Sequence, residues 1–357
     1  MKALTLTCLL LGSFLFAQQF QLKNTQLKEY FTHIRKAENL LVNQHFDASL
    51  KSYKTSFSLF DKPFGKDIYN SMHLAMQLKD YKYAYKAYSQ LECMDYPFAE
   101  KFLAEKFPKS YLNKKSKCVK TIDYAYKKEL DSLFEMDQHY RRLANGDLNN
   151  KKEEITLSDS IASHRLLNLI KEKGFPNEHN IGLGSANGYF LQNFYLIIWH
   201  QLKNNSISKQ HINFSIILEE ALNQGKIIPE HAADLIDLNN GTSKYTIPHF
   251  FVISIWTDNG RGESIRDQVI NKTYIEDCCY VHPYYYETNR PAVFQKSVDK
   301  VNADRKLLGL HPLDFATRRT HFSLKNKQYY LPQMSESSFI IGEEQLKKKK
   351  ATLIKFK

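Results

Sequence analysis

Leu130-Asp131-Ser132-Leu133-Phe134-Glu135-Met136-Asp137-Gln138-His139-Tyr140-Arg141-Arg142-Leu143 is the stretch whose reading decides the fold. Leu130, Leu133, Phe134, Met136, Tyr140 and Leu143 recur mostly three or four apart, which predicts an amphipathic helix. Asp137 and Arg141 are four apart and share one face of it. On a solvated face such a pair contributes only about 0.3–0.5 kcal/mol. At the floor of a cleft it is a carboxylate oriented by a guanidinium.

The residues downstream continue in helices. A second amphipathic run, Ile161 to Lys173, is stopped by Gly174-Phe175-Pro176, a glycine cap followed by a residue that cannot propagate a helix. Gly182-Leu183-Gly184-Ser185-Ala186-Asn187-Gly188 follows. It reads as a tight interhelical turn, since no parallel strand precedes it and the spacing misses the dinucleotide fingerprint. An apolar helix over Tyr189–Leu202 carries Trp199-His200, a further helix covers Phe214–Asn223, and Pro229 opens one that contains His231 and Asp237. Val301-Asn302-Ala303-Asp304-Arg305 then leads to Leu308-Gly309-Leu310. A histidine within the apolar run Phe194–Trp199 is either a satisfied core residue or, if it meets Asp137, an oriented imidazole able to move protons near neutral pH.

This ordered set is similar to the uncharacterised bacterial domain of unknown function family 6624, over about residues 127–315. The matching positions are Asp137, Gln138, Arg141, Gly174, Pro176, Gly182, His200, Asp237 and Arg305. The resemblance implies an α-rich fold and a grouping, and it brings no reaction. The chain departs from the family at Trp199, where glutamine is usual, at Leu238, where arginine is usual, and at Lys244-Tyr245-Thr246, a degenerate Tyr-Gly-Thr segment.

Residues 1–17 have the layout of a secretory signal peptide: Lys2, an apolar run Leu4–Phe16 too short to span a bilayer comfortably, and Ala17 at the cleavage site. No other stretch is apolar enough for a transmembrane span. The formal charge is +12, part of it in the terminal lysines from Lys347 onward. Basic residues are not gathered into any nucleic-acid-binding motif. After Cys8 is removed with the signal, Cys93, Cys118, Cys278 and Cys279 remain. Export permits a Cys93–Cys118 disulfide, whereas adjacent cysteines such as Cys278 and Cys279 rarely bridge to each other.

Between the signal and the central helix, residues 18–28 read as an exposed leader and Glu29 to about Leu91 as helical. Asn43–Leu50 recurs as Leu78–Tyr85 at an offset of 35 residues, each copy placing a small residue three after an aromatic one. That offset is close to the tetratricopeptide period of about 34. Lys62-Pro63-Phe64-Gly65 breaks the helix between the copies. Asn113–Lys120 is the expected boundary, and the charged stretch Asn145–Ser158 is expected to be a mobile surface loop. Phe250–Thr257 and Cys279–Tyr286 have the β-branched and aromatic content of extended segments. The end of the chain, from about residue 321, reads as a solvated tail.

The expectation is therefore a mostly α protein: signal peptide 1–17, tetratricopeptide-like helical repeats 18–113, a helical domain 120–320 with short extended segments, and a tail 321–357. Its leading function is that of a secreted or periplasmic binding or interaction protein, with a protein or peptide partner on the repeats. The alternative is a hydrolase with Asp137 and His200 as the catalytic pair and Gln138, Arg141, Asp237 and Arg305 binding an anionic group in the same pocket. No nucleophile elbow, zincin motif, cofactor fingerprint or structural-metal spacing is present.

Overall fold

The computed structural model describes residues 19–114, 120–145, 147–183, 190–205, 212–255, 275–286, 288, 290–332, 336–341 and 343–356. The signal segment, Cys118, most of the glycine-rich turn after Gly182 and the stretch 256–274 lie outside the described residues. The protein is mostly α-helical, with one small sheet near its C-terminal end. Among the described residues, no helix is long and apolar enough to cross a membrane.

Four helices form two antiparallel hairpins: Thr25–Val42 (α1) with Phe46–Leu59 (α2), and Gly65–Gln77 (α3) with Tyr81–Cys93 (α4). Phe46 and Tyr81 open the second helix of each hairpin, and the small residues three positions on, Ser49 and Ala84, are fully buried where helices cross. Asn24 and Asp80 cap α1 and α4 through their side chains. A short helix, Phe102–Lys106 (α5), follows.

Residues 19–24, expected as an exposed leader, instead run across the helices near the other end of the chain. Phe20 and Leu22 alternate inward and are buried, Leu22 N donates to Leu307 O, and the amides of Lys23 and Asn24 donate to the Asn223 side chain. The period-two pattern of Phe20 and Leu22 is that of an extended strand-like arm with one apolar face.

The second group of helices is Tyr124–Leu143 (α6), Lys152–Lys173 (α7), Glu178–Ile181 (α8), Tyr195–Asn205 (α9), Ser215–Asn223 (α10) and Pro229–Asn240 (α11). Gly174 ends α7 at a φ of +80°, a conformation that suits glycine, as its place before Pro176 predicts. The charged stretch expected to be a loop is corrected: Leu148–Lys151 is a 3-10 turn, and α7 begins at Lys152. Glu153 and Glu154 sit in its first turn, where the helix dipole favours negative charge, and Lys151 pairs with Glu154.

Ala292–Leu308 (α12) and Leu313–Lys325 (α13) complete the helical core. The tail is also corrected. Phe250–Ile255 (β1), Ile275–Val281 (β2), Glu336–Ile341 (β3) and Ile354–Lys355 (β4) form a four-stranded sheet in the order β3-β1-β2-β4, and Glu343–Thr352 (α14) joins its last two strands in the chain. β1 runs antiparallel to β2 and parallel to β3. Lys350 and Lys355 tie the tail to Asp277 of β2. Within β2, the side chains of Cys278 and Cys279 lie against one another, and Cys93 is disulfide-bonded.

A single hydrophobic cluster extends from Phe20 through α1–α4 and α6–α11 to Leu331. The hairpins are therefore packed into the same core as the downstream helices. Gly65 shows how tight that junction is, since a Cβ there would lie 2.8 Å from the Leu183 side chain. Its amide, at the start of α3, donates to Glu178 Oε2 at 2.7 Å.

Burial pushes the Glu178 carboxyl up to about 7, against the opposing pull of the Gly65 amide. Between the ordinary value of 4.5 and about 7, the folded chain holds a proton that the unfolded chain has released. Stability contributed by this site is thus present below 4.5 and is lost as pH rises to about 7. Glu178→Gln keeps the acceptor and removes the titration. Its stability relative to the parent, from urea unfolding at several pH values, should climb by about 1.4 kcal/mol per pH unit across that window and level off above it. Parallel stability curves would contradict this assignment.

Candidate functional site

Helix α6 places its buried face through Tyr126, Leu130, Leu133 and Asp137, a spacing of four, three and four residues. Asp137 thus occupies a core position on the stripe, fully buried, while Leu143 of the expected stripe is exposed. The nearly invariant cost of burying a carboxylate is met here by partners. Gln138 Nε2 donates to Asp137 Oδ2 at 2.7 Å, and His200 Nδ1 of α9 lies 3.0 and 2.7 Å from the two carboxylate oxygens.

Arg141 belongs to the same site but has a different principal partner. Its Nη1 and Nη2 donate to the two oxygens of Asp159 on α7, at 2.5 and 2.6 Å, a bidentate pair. Nη1 also donates to the Asp137 backbone carbonyl at 2.6 Å and lies 3.4 Å from Asp137 Oδ2. Asp159 is 1% exposed. Sequence reasoning missed it because the beginning of α7 reads as a charged loop. Its signal is the spacing of Ile155, Asp159 and Ala162 along one buried face of α7.

The site therefore joins three helices through two buried carboxylates, one guanidinium and one imidazole. Asp137 accepts from His200 Nδ1, which leaves the lone pair of the neutral ring on Nε2. His200 retains 18% exposure, and Trp199 beside it is half exposed. The arrangement can hold a histidine in one tautomer with Nε2 free to accept a proton, the geometry a general base requires. Asp137, Asp159 and His200 also offer ligand atoms within 4.8 Å of one another, a spacing that can hold a metal ion. The Arg141 guanidinium occupies the cationic position between the two carboxylates, so a metal ion there must displace it.

Asp237 and Arg305 are brought together elsewhere, on either side of Tyr245. Asp237 accepts from Thr242 Oγ1 and from the amides of Lys244 and Tyr245, at 2.6, 2.9 and 3.0 Å. Arg305, 1% exposed, donates to Tyr245 O and His311 O. The anticipated shared pocket is thus divided. Asp137, Gln138, Arg141 and His200 converge, whereas Asp237 and Arg305 organise the turn after α11 and fasten it to α12.

Two further features had not been read from the sequence. The first is a buried ionic cluster. Glu38 of α1 accepts from Lys66 Nζ at 2.9 Å, Arg319 Nη1 at 2.7 Å and lies 2.8 Å from His311 Nε2. Lys66 also donates to Asp67, and Arg319 to Glu230. Lys66 and Arg319 together hold the Glu38 carboxyl well below its ordinary range despite burial. The available signal was Glu38 itself, set among Ile34, Ala37 and Leu41 on the buried face of α1.

The second is an open groove of about 1110 Å³ between the N-terminal hairpins and α13. Arg318, His321, Phe322 and Lys325 line it from α13 at the spacing of one helix face. His73, Met76 and Gln77 of α3, Phe46 of α2 and Lys106 of α5 face them. Burial, with Lys106 second, pushes His73 down to about 4, and its Nε2 is buried without a hydrogen-bond partner.

Comparison with family models, curated proteins and solved structures gave no match to this chain. The site's chemistry therefore rests on its geometry. In nitrogen-detected NMR of the neutral protein, the His200 ring proton should reside on Nδ1. Asp137→Leu should abolish that preference, while a parent ring protonated on Nε2 would contradict the assigned hydrogen bond.

Proposed function

We propose that this is an exported binding protein of the bacterial cell envelope, related to the domain of unknown function family 6624, which receives its partner in the groove between the N-terminal hairpins and α13. The observation that carries this reading is the groove itself. It is large, open and mixed in character, with apolar side chains flanked by exposed cations. Ligand sites commonly combine an apolar lining with a few placed polar groups, and span about 300–1000 Å³ for small ligands. A volume of about 1110 Å³ suits a larger occupant. The two helical hairpins favour a tetratricopeptide-like origin for one wall of it. The signal-like layout of residues 1–17 supports export.

A hydrolase is the second reading, and the Asp137–His200 hydrogen bond favours it. In that reading His200 Nε2 takes a proton from a water whose oxygen bonds to the scissile centre, the departing group then takes that proton from the ring, and Asp137 holds the imidazole in place throughout. The groove reading is preferred because it describes both a place for a ligand and the groups that would hold it.

Deleting the hairpins would not test either reading, because they share the core with the rest of the chain. Point changes at exposed groove residues would. Residues 18–357 and the Arg318→Glu/Lys325→Glu variant can be compared for the envelope proteins that each retains, with unfolding curves run in parallel. Exposed charge changes should alter stability by no more than about 0.5 kcal/mol. The reading predicts that a defined set of partners is lost at least tenfold in the variant. Identical retention by both proteins would overturn it.

A further inference from the structure

The groove carries positive charge that no carboxylate of the described residues neutralises through an ion pair at Lys106, Arg318 or Lys325. All three are exposed. Arg318 and Lys325 are seven residues apart on α13, two turns, so both flank the same opening. Lys106 approaches from the opposite wall. Among the described residues, Glu105 is the one acidic residue lining the groove.

Two histidines register this excess. His73 and His321 are both shifted towards the neutral form, by burial first and then by Lys106 and Lys325 respectively. Neutral rings remain able to donate or accept a hydrogen bond, and His73 Nε2 has no partner for one. Between the cations the lining is mixed, with Phe322 and Phe46 beside Gln77 and Asn326.

We propose that the occupant is an acidic peptide segment bearing an apolar side chain, its carboxylates meeting Arg318, Lys325 and Lys106 and its apolar residue seated against Phe322. This rests on the groove reading above and names the ligand class for that site. A peptide is favoured over a nucleic acid because the cations sit on opposite walls of a groove that mixes amide side chains such as Gln77 and Asn326 with apolar ones such as Phe46 and Phe322. A phosphate backbone is instead followed by a track of basic residues accompanied by aromatic platforms for the bases. Charge complementarity supplies orientation and on-rate, and the apolar seat supplies burial.

Fluorescence anisotropy with residues 18–357 tests this. The probes are a labelled Glu-Glu-Phe-Leu-Glu-Glu peptide, the same peptide with each Glu replaced by Gln, and a single-stranded oligonucleotide of six thymidines. The expected result is saturable binding of the acidic peptide, at least tenfold weaker binding of the Gln peptide, and at least tenfold loss in Arg318→Glu/Lys325→Glu. Phe322→Ala should weaken the acidic peptide at unchanged salt dependence. Equal binding of the acidic and Gln peptides, both lost in the charge-reversed protein, would overturn the ligand class while leaving the groove as a peptide site. Tighter binding of the oligonucleotide would likewise overturn the peptide assignment. No binding of any probe, with unchanged partner retention by the variant, would overturn both.

Discussion

The constraint on which the rest of the structure depends is the burial of Glu38 between Lys66 and Arg319. Glu38 comes from the first helix, Lys66 from the third, and Arg319 from a helix more than 250 residues further along the chain. All three side chains are nearly inaccessible to water. Removing such charges from water costs several kcal/mol per ion, and their attraction offsets this only when geometry is good and the remaining hydrogen-bonding capacity is used. Here both Glu38 oxygens are engaged, Arg319 reaches Glu230 and the Pro332 carbonyl while its Nε has no hydrogen-bond partner, and Lys66 reaches Asp67, which also accepts from Tyr30. Such a cluster adds little net stability over a well-packed apolar one. What it contributes is register: any other docking of α13 on the hairpins would leave buried charges unpaired.

That register creates the groove. The buried face of α13 carries Ala316, Arg319 and Thr320, and the opposite face carries Arg318, His321, Phe322 and Lys325 into the opening. Clamping Arg319 to Glu38 of α1, which also accepts from Lys66 of α3, therefore holds the cationic face of the same helix opposite His73 and Met76. The segment after α13 strengthens the clamp. Asn70 exchanges hydrogen bonds with the backbone of Tyr330, and the Tyr329 hydroxyl donates to Gln77. The Asp137–His200 site lies on a different set of helices, α6, α7 and α9, and satisfies its own buried carboxylates locally through Arg141 and Gln138.

Much of this was legible in the sequence. Helical periodicity, Pro229 as a first-turn residue and Gly174 before Pro176 marked helix bodies and ends that the structure repeats. A meeting of His200 with Asp137 was one of two readings the sequence left open, and the structure brings them into hydrogen-bond contact. The misreadings share a cause. Asp159, Glu38 and Arg319 are polar residues that tertiary partners bury, and nothing in their local sequence named those partners. Periodicity reports which face a residue occupies but not what waits opposite, and a buried charge is recognisable only with its partner in view. The tail was misread for a related reason, because β3 and β4 are stabilised by pairing with strands about 70 to 90 residues earlier in the chain. Asp237 and Arg305 illustrate the converse: charged residues well placed for a site, but consumed by the backbone around Tyr245.

Native-state hydrogen exchange tests the central claim, that the N-terminal hairpins and α13 are one cooperative unit held by the Glu38–Arg319 contact. The account predicts that the slowest amides of α1, α3 and α13 exchange with a common free energy and a common denaturant dependence, equal to those of α6 and α7. Exchange of α1–α4 through a separate, lower-energy opening that leaves α6, α7 and α13 protected would contradict it.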